Sequence, residues 1–358
     1  MKVYDVLGLM SGTSLDGLDM AYCQIWKKLD RWDFKILEAT TITYDESLKQ
    51  QLKDSIYLEA HELLSLNNTY GSWLGEKAKS FILENNLDID FISSHGHTTH
   101  HKPEIGLTYQ IGSGQHLANA SGEKVICDFR TNDVALGGEG APLVPIGDQL
   151  LFGAYNFCLN LGGIANMSFE KENKRIAYDI GLANMPLNYL TQKVGLPFDE
   201  GGKMAKKGKL NNALLKDLNE LQFYKEPYPK STGYEWFTEK VCPILERHKD
   251  TLENQLHTII KHICQQIAIQ LEANLTDEKA SLWVTGGGAM NTHMMDMLRE
   301  ELQENIELVI PAKQLIAFKE AVVFALMGVL RAEQEINILK SVTGAKKNSS
   351  SGVVYLPT

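Results

Sequence analysis

Val6-Leu7-Gly8-Leu9-Met10-Ser11-Gly12-Thr13-Ser14-Leu15-Asp16-Gly17-Leu18-Asp19 opens as an apolar strand and breaks into a turn of glycines, hydroxyls and one acid. Alternation resumes through Leu18, Met20 and Tyr22, so the stretch predicts strand, tight turn, strand. The turn carries phosphate-binding chemistry. Gly12 and Gly17 place no Cβ between the backbone and an anion. Ser11, Thr13 and Ser14 add hydroxyl donors, and Asp16 is suited to hold a magnesium ion through water. A Walker-type loop would need Gly-Lys-Ser/Thr opening a helix, whereas here no lysine is present and a strand follows. An ordinary hairpin with a polar turn is the competing expectation.

The second half of the chain repeats the pattern. Asn156 to Ser168 reads as a strand, a turn at Gly162-Gly163 and a short strand, and Ile176-Ala177-Tyr178-Asp179 follows as a strand ending on an acid. Ser281 to Thr285 is a buried strand running into Gly286-Gly287-Gly288-Ala289-Met290-Asn291, with a helix expected from Thr292 to Glu304. A glycine run between strand and helix lets a ligand sit against the backbone near the positive end of the helix dipole; a tight connection without a ligand is the alternative. A duplicated α/β unit explains the echo. Ligands of open α/β sheets collect beyond the carboxyl ends of strands, so these turns suggest a nucleotide clamped between two lobes. Phosphoryl transfer needs a phosphate cradle, a metal and a carboxylate that steers the nucleophile. The candidates are Ser11 to Gly17 with Gly162-Gly163, then Asp16, then Asp179, for which capping of a helix starting near Met185 is the bland alternative.

A chain of 358 residues exceeds the usual single domain, which also points to two lobes. Hydrophobic residues at 44% and charged residues at 22% suit a folded soluble protein. With 35 basic and 45 acidic residues the net charge is −10, which argues against a nucleic-acid or anionic-membrane binder but leaves room for a locally basic site. Cys23, Cys127, Cys158, Cys242 and Cys264 are odd in number and form no C-x-x-C pair, as expected of free thiols in a reducing compartment. Met1-Lys2 leads straight into a strand, without a signal-peptide pattern, and the most apolar helical stretch, Ala321 to Ala332, is too short to span a bilayer. A cytoplasmic location is the expectation.

Between these landmarks, Trp32 to Thr43 alternates like a strand, and Leu63, Leu66, Tyr70, Trp73, Lys77 and Phe81 recur at helical spacing, with Leu64, Leu74 and Ile82 widening the stripe. Asp90 to Ser94 is a short strand expected to deliver His95-Gly96-His97-Thr98-Thr99-His100-His101 to its end. Val125 to Arg130 is another strand. Gly137-Gly138-Glu139-Gly140-Ala141-Pro142 reads as an interlobe hinge or substrate loop. Leu256, Ile259, Ile260, Ile263, Ile267 and Leu271 mark a long amphipathic helix, and Glu320 begins another. Gly344 to Gly352 is expected to be a loosely held loop before a strand at Val353 to Leu356.

Gly8 to Asp19 resembles the opening of the anhydro-N-acetylmuramic acid kinases, members of the sugar kinase/actin/heat-shock chaperone superfamily. The resemblance continues in order through Ser94-His95-Gly96, Gln110-Ile111-Gly112, Asp128-Phe129-Arg130, Gly137 to Pro145, Asn160 to Asn166, Tyr178-Asp179, Gly201-Gly202-Lys203, Pro229 to Gly233, Gly286 to Asn291 and Glu320-Ala321. It implies a two-lobed actin/sugar-kinase-like α/β fold of duplicated ribonuclease H-like type with an active cleft between lobes. One lobe is expected over 1–140, joined by 330–358, and the other over 141–329. It also implies that water opens the 1,6-anhydro bridge while O6 takes the γ-phosphate of ATP. Asp179 falls at the position that activates the water and Glu320 at a substrate-facing acid. His95, Arg130 and Asn184 fall where the sugar is held. Gly12 to Asp19, Asp19 included, would line the phosphates, and Gly286, Gly287, Gly288 and Asn291 the adenosine. ATP and Mg2+ are the implied cofactors; the sugar and ATP are the expected partners, with a homodimer left open.

The chain departs from the family pattern on the sugar side. Asp179 is followed by Ile180-Gly181-Leu182-Ala183-Asn184 rather than a Gly-Pro-Gly-Asn turn, which alters the stiffness of the segment aiming the base. His97 and Glu139 replace glutamines, and Ser113 stands where asparagine is common. Beyond a kinase of a different sugar, two rival expectations remain. His95-x-His97-x-Thr99-His100 resembles the metal motif of metallo-β-lactamase-fold hydrolases, although Thr99 occupies its acid position. The other rival is a nucleotide switch of the actin type, hydrolysing ATP slowly without transfer to sugar.

Overall fold

A computed structural model describes residues 2–276 and 278–358, and the chain divides into two compact units, 1–152 with 318–358 and 153–317. The first unit is built on a sheet of β1 (Val3–Ser11), β2 (Leu18–Lys28), β3 (Arg31–Ile42), β4 (Phe91–Lys102), β5 (Leu107–Ile111), β6 (Val125–Cys127) and, from the end of the chain, β12 (Val353–Tyr355). Its order is β12-β6-β4-β1-β2-β3, with β5 on β4. β1 pairs antiparallel with β2, β2 with β3, and β1 runs parallel to β4, as β4 does to β6. The second unit holds β7 (Phe157–Leu161), β8 (Ile164–Lys171), β9 (Lys174–Leu182), β10 (Ala280–Thr285) and β11 (Ile306–Val309) in the order β11-β10-β7-β8-β9. Each sheet is an antiparallel meander of three strands extended by parallel strands on the far side of its first strand. The duplicated ribonuclease H-like topology is therefore present in both units.

Central strands explain their own sequences. β1 lies between β2 and β4 and is buried on both faces, so it reads as a continuous apolar run rather than an alternation. Leu7, Leu9, Leu18, Met20 and Ile92 on one face pack against Tyr70 and Leu74 of the helix Ala60–Glu84, which starts with a Glu59/Glu62 capping box. Leu64, expected to widen the apolar stripe of that helix, instead points to solvent. The other face packs Val6, Cys23, Phe91 and Ile126 against Ala321 to Leu330 of the helix Lys313–Ala332. In the second unit, Thr251 caps the helix Leu252–Asn274, whose Leu256, Ile259, Ile260, Ile263, Ile267 and Leu271 fill the core with Leu159, Leu282 and Val284.

Several expectations shift. The division falls at 152/153 and 317/318, not at 140/141 and 329/330, because the buried face of Lys313–Ala332 belongs to the first sheet. Glu320 consequently lies inside a helix rather than at its start. The glycine-rich stretch 137–142 stays within the first unit and is pinned there: the buried Asp133 carboxylate accepts the Gly140 N–H (2.8 Å) and the Thr343 hydroxyl (2.8 Å). It is not the connection between units. The 344–352 segment is held firmly, since buried Asn337 binds Ser351 through both its amide oxygen and nitrogen (2.7 and 2.8 Å). The helix after the triple glycine ends at Glu301 rather than Glu304.

Candidate functional site

The carboxyl end of β1 delivers the first turn. Within it Leu15, not a glycine, adopts the left-handed backbone (φ 59°), and its N–H closes the turn on the Gly12 carbonyl (3.2 Å). A Cβ at Gly12 would meet only Ser14, at an ordinary 3.5 Å, whereas a Cβ at Gly17 would lie 2.6 Å from the Ile42 carbonyl oxygen. Gly17 thus serves the close approach of β3 rather than a ligand. Thr13, Ser14 and Asp16 are exposed. Ser11 is not: its buried Oγ lies 3.0 Å from His97 Nδ1 and accepts from the Tyr44 hydroxyl (2.8 Å), which meets Tyr70 (2.9 Å). Ser11 anchors the turn from beneath. Asp19 accepts the Thr41 hydroxyl (2.5 Å), and burial above all raises its carboxyl, with Asp16 adding to the effect.

β4 does not end at Ser94 but continues through the histidines to Lys102. Opposite β1 its register slips: Leu9 pairs with Ser94, but Ser11 with His97. The bulge re-aims His95 and His97 beside the first turn, as bulges do near functional sites. Both imidazoles are buried and held neutral by burial, His97 at about 4 and His95 well below the usual range, with Arg130 reinforcing the latter. His95 Nε2 faces two donors, Arg130 Nε at 3.0 Å and Nη2 at 2.9 Å. It therefore accepts there, and Nδ1–H donates to the Gly96 carbonyl at 2.9 Å. With both nitrogens engaged, His95 orients Arg130. Arg130 Nη1 also donates to the Gly140 carbonyl (2.5 Å), so two of its five N–H donors have no partner in these bonds. Its guanidinium is lowered to about 10 by burial, against the pull of Glu320 and Asp133, and stays charged at neutral pH. Desolvation by the surrounding protein raises the Glu320 carboxyl, while Lys319 and Arg130 oppose the rise. Among the described residues no three His, Cys, Asp or Glu side chains converge to hold a metal. The His-x-His pattern is accounted for by the Arg130 and Ser11 contacts.

In the second unit the carboxyl ends of β7 and β10 gather the glycine turns. Gly286 has φ 79°, and a Cβ there would fall 2.7 Å from Leu161 C and O and from Asn160 Oδ1. The Gly162 and Gly163 carbonyls accept the N–H groups of Asn184 (3.0 Å) and of Ala183 and Met185 (2.8 and 3.1 Å) at the start of the helix Asn184–Gln192. Asn184 Nδ2 donates to the Leu161 carbonyl (2.9 Å), so this side chain braces the turn. Asn291 caps the helix Thr292–Glu301 by accepting the Met294 N–H (3.0 Å). Gly163 and Gly287 remain exposed, while Gly288 is buried.

Asp179 is three residues from the end of β9, not at it, and caps no helix. It pairs with Asn166 beside a second bulge, since Gly181 already pairs with Ala165. Its Oδ2 accepts the Ser231 hydroxyl (3.1 Å) and the Thr232 N–H (2.9 Å). Burial raises its carboxyl, and these two donors work against the rise. The Tyr224 ring packs directly on Gly181, where a Cβ would fall 2.4 Å from its Cε1. No local pattern marks a role for Ser231, Thr232, Tyr44 or Thr41, because none is near its partner along the chain. Only the Pro229 to Gly233 block of the resemblance pointed to the first two.

The family model for anhydro-N-acetylmuramic acid kinase matches residues 4–357. A protein of that name from Hydrogenovibrio crunogenus is 31% identical, aligned over 99% of this chain and 98% of its own length. One from Bacillus thuringiensis is 32% identical over the full length of both. Among solved structures, the activator of the 2-hydroxyisocaproyl-CoA dehydratase from Clostridium difficile, with bound ADPNP, aligns over 92% of this chain and 97% of its own at 13% identity and a TM-score of 0.45. With both glycine-turn systems on a duplicated topology and a full-length match, the chain belongs to the anhydro-N-acetylmuramic acid kinase family.

Proposed function

We propose that the chain is an ATP-dependent kinase that opens 1,6-anhydro-N-acetylmuramic acid with water and phosphorylates the released O6. The observation that carries this reading is the Asp179 carboxylate, held by two donors on one oxygen and made more basic by burial, in a chain whose family match spans residues 4–357. Water oxygen bonds to C1 as the C1–O6 bond breaks, and Asp179 takes the water proton. O6 bonds to the γ-phosphorus as the bond to the β,γ-bridging oxygen breaks, leaving ADP. The products are N-acetylmuramic acid 6-phosphate, ADP and one proton.

Arg130 suits the lactyl carboxylate, since His95 and Gly140 fix its plane and two N–H donors remain. Glu320, with its raised carboxyl, suits a sugar hydroxyl. In the first unit the turn that exposes Thr13, Ser14 and Asp16 is assigned to phosphate, and in the second unit the exposed Gly163 and Gly287 are assigned to the nucleotide. Asp16 and Asp19 form an acidic, oxygen-only pair that fits a magnesium ion held through water. Such an ion would neutralise charge on the phosphates. The cytoplasm, which supplies ATP and keeps thiols reduced, is the assigned location; all five cysteines are free. No helix among the described residues is long and apolar enough to cross a membrane.

The test is coupled detection of ADP with and without the anhydro sugar. ADP release should require the sugar, and Asp179→Asn should bind ATP yet lose about 1000-fold in turnover. Equal ADP release without sugar, or an active Asp179→Asn, contradicts the reading.

A further inference from the structure

We propose that Ser231 is a positioning residue for Asp179, its hydroxyl and the Thr232 N–H together claiming Oδ2 so that Oδ1 is left as the proton acceptor. The inference rests on the reading of Asp179 as the base and goes beyond it in naming the atom and the group that selects it. Among the described residues, Oδ2 receives both donors, at 3.1 and 2.9 Å, and no hydrogen bond reaches Oδ1. Donors concentrate negative charge on the oxygen they touch and fix the plane of the carboxylate. The lone pairs of Oδ1 are then the ones free to take a proton.

Ser231 is not needed to hold its own segment in place. Residues 228–232 run beside β9, where the Asp179 N–H donates to the Lys230 carbonyl (3.1 Å). The Tyr228 ring stacks on Tyr178 with centroids 5.0 Å apart. Lys230 Nζ donates to the Phe223 carbonyl (2.9 Å), and Lys171 to the Tyr228 hydroxyl (3.0 Å). Ser231 itself is exposed, so its truncation removes one donor and leaves these anchors. A role confined to structure would therefore leave the pH profile unmoved.

The experiment compares kcat, KM for ATP and the kcat–pH profile of full-length Ser231→Ala, Ser231→Thr and Asp179→Asn with those of the unmodified chain. Ser231→Ala should lose about tenfold in kcat at a KM for ATP within about twofold. Its acid limb should move to higher pH by about half a unit to one unit, because a donor to the charged carboxylate is gone. Ser231→Thr should restore both. An unchanged kcat and acid limb in Ser231→Ala, beside an inactive Asp179→Asn, overturns the inference and leaves Asp179 as the base. So does a loss of kcat with an unmoved limb that threonine does not restore. Wild-type turnover in Asp179→Asn removes the base assignment and the inference with it.

Discussion

Replacing His95 by phenylalanine removes the acceptor that chelates Arg130 Nε and Nη2 at 3.0 and 2.9 Å. The site tolerates an aromatic ring, because His95 is 5% exposed and already lies against Phe324 with ring centroids 4.6 Å apart. The substitution is therefore mainly electrostatic. Each hydrogen bond to a charged group contributes about 1.5–3 kcal/mol. Arg130 keeps its bond to the Gly140 carbonyl and is partly open to water, which compensates for some of the loss. A net cost of about 2 kcal/mol in aiming the guanidinium corresponds to about 30-fold in kcat/KM for the sugar. KM for ATP should not change. His95→Gln provides the internal control, since its amide oxygen reaches the place of Nε2 and still accepts; it should recover most of the loss. The assay is sugar-dependent ADP release at saturating ATP. A change of less than about twofold in His95→Phe, or a glutamine variant no better than phenylalanine, would refute the argument that His95 acts through Arg130.

Acidification should destabilise the fold through His97 and His262. Both are buried, and burial lowers them from 6.5 to about 4 and about 3. The folded state favours the neutral ring, so this stability is complete above 6.5 and is lost as pH falls toward 4. Each histidine should take back about 2 kcal/mol by about pH 5, read from urea denaturation; a His97→Gln variant with the same pH slope would contradict its share. Gly286→Ala places a Cβ 2.7 Å from Leu161 C and O at φ 79° and should cost at least about 2 kcal/mol in unfolding free energy, together with ATP binding. An alanine variant that melts and binds nucleotide normally would disprove that constraint.

Much of this architecture could be read from periodicity alone. The apolar run of β1, the stripe on Leu252–Asn274 and the strands before both glycine turns are local patterns, and each formed where local pattern placed it. What failed depends on distant partners. Nothing near Ser11 announces that Tyr44 and His97 will occupy its hydroxyl, or that Gly17 yields to Ile42. The local pattern ends the strand at Ser94 and leaves His95 to His101 beyond it, but β5 pairs with His97 to Lys102 and keeps the stretch extended. Residues 318–329 fall in the first unit rather than the second, because helical spacing reports a buried face without reporting which sheet buries it. The bulges that aim His95 and Asp179 arise from register, which one strand's sequence does not contain.

The measurement that bears most directly on coupled hydrolysis and transfer is a single turnover of ATP and 1,6-anhydro-N-acetylmuramic acid in oxygen-18 water, analysed by mass spectrometry at early times. One labelled oxygen on C1 of a sugar 6-phosphate, with one ADP formed per sugar and no label in phosphate, is the expected result. Label in free inorganic phosphate, or a phosphorylated sugar whose anhydro bridge is intact, would contradict the account.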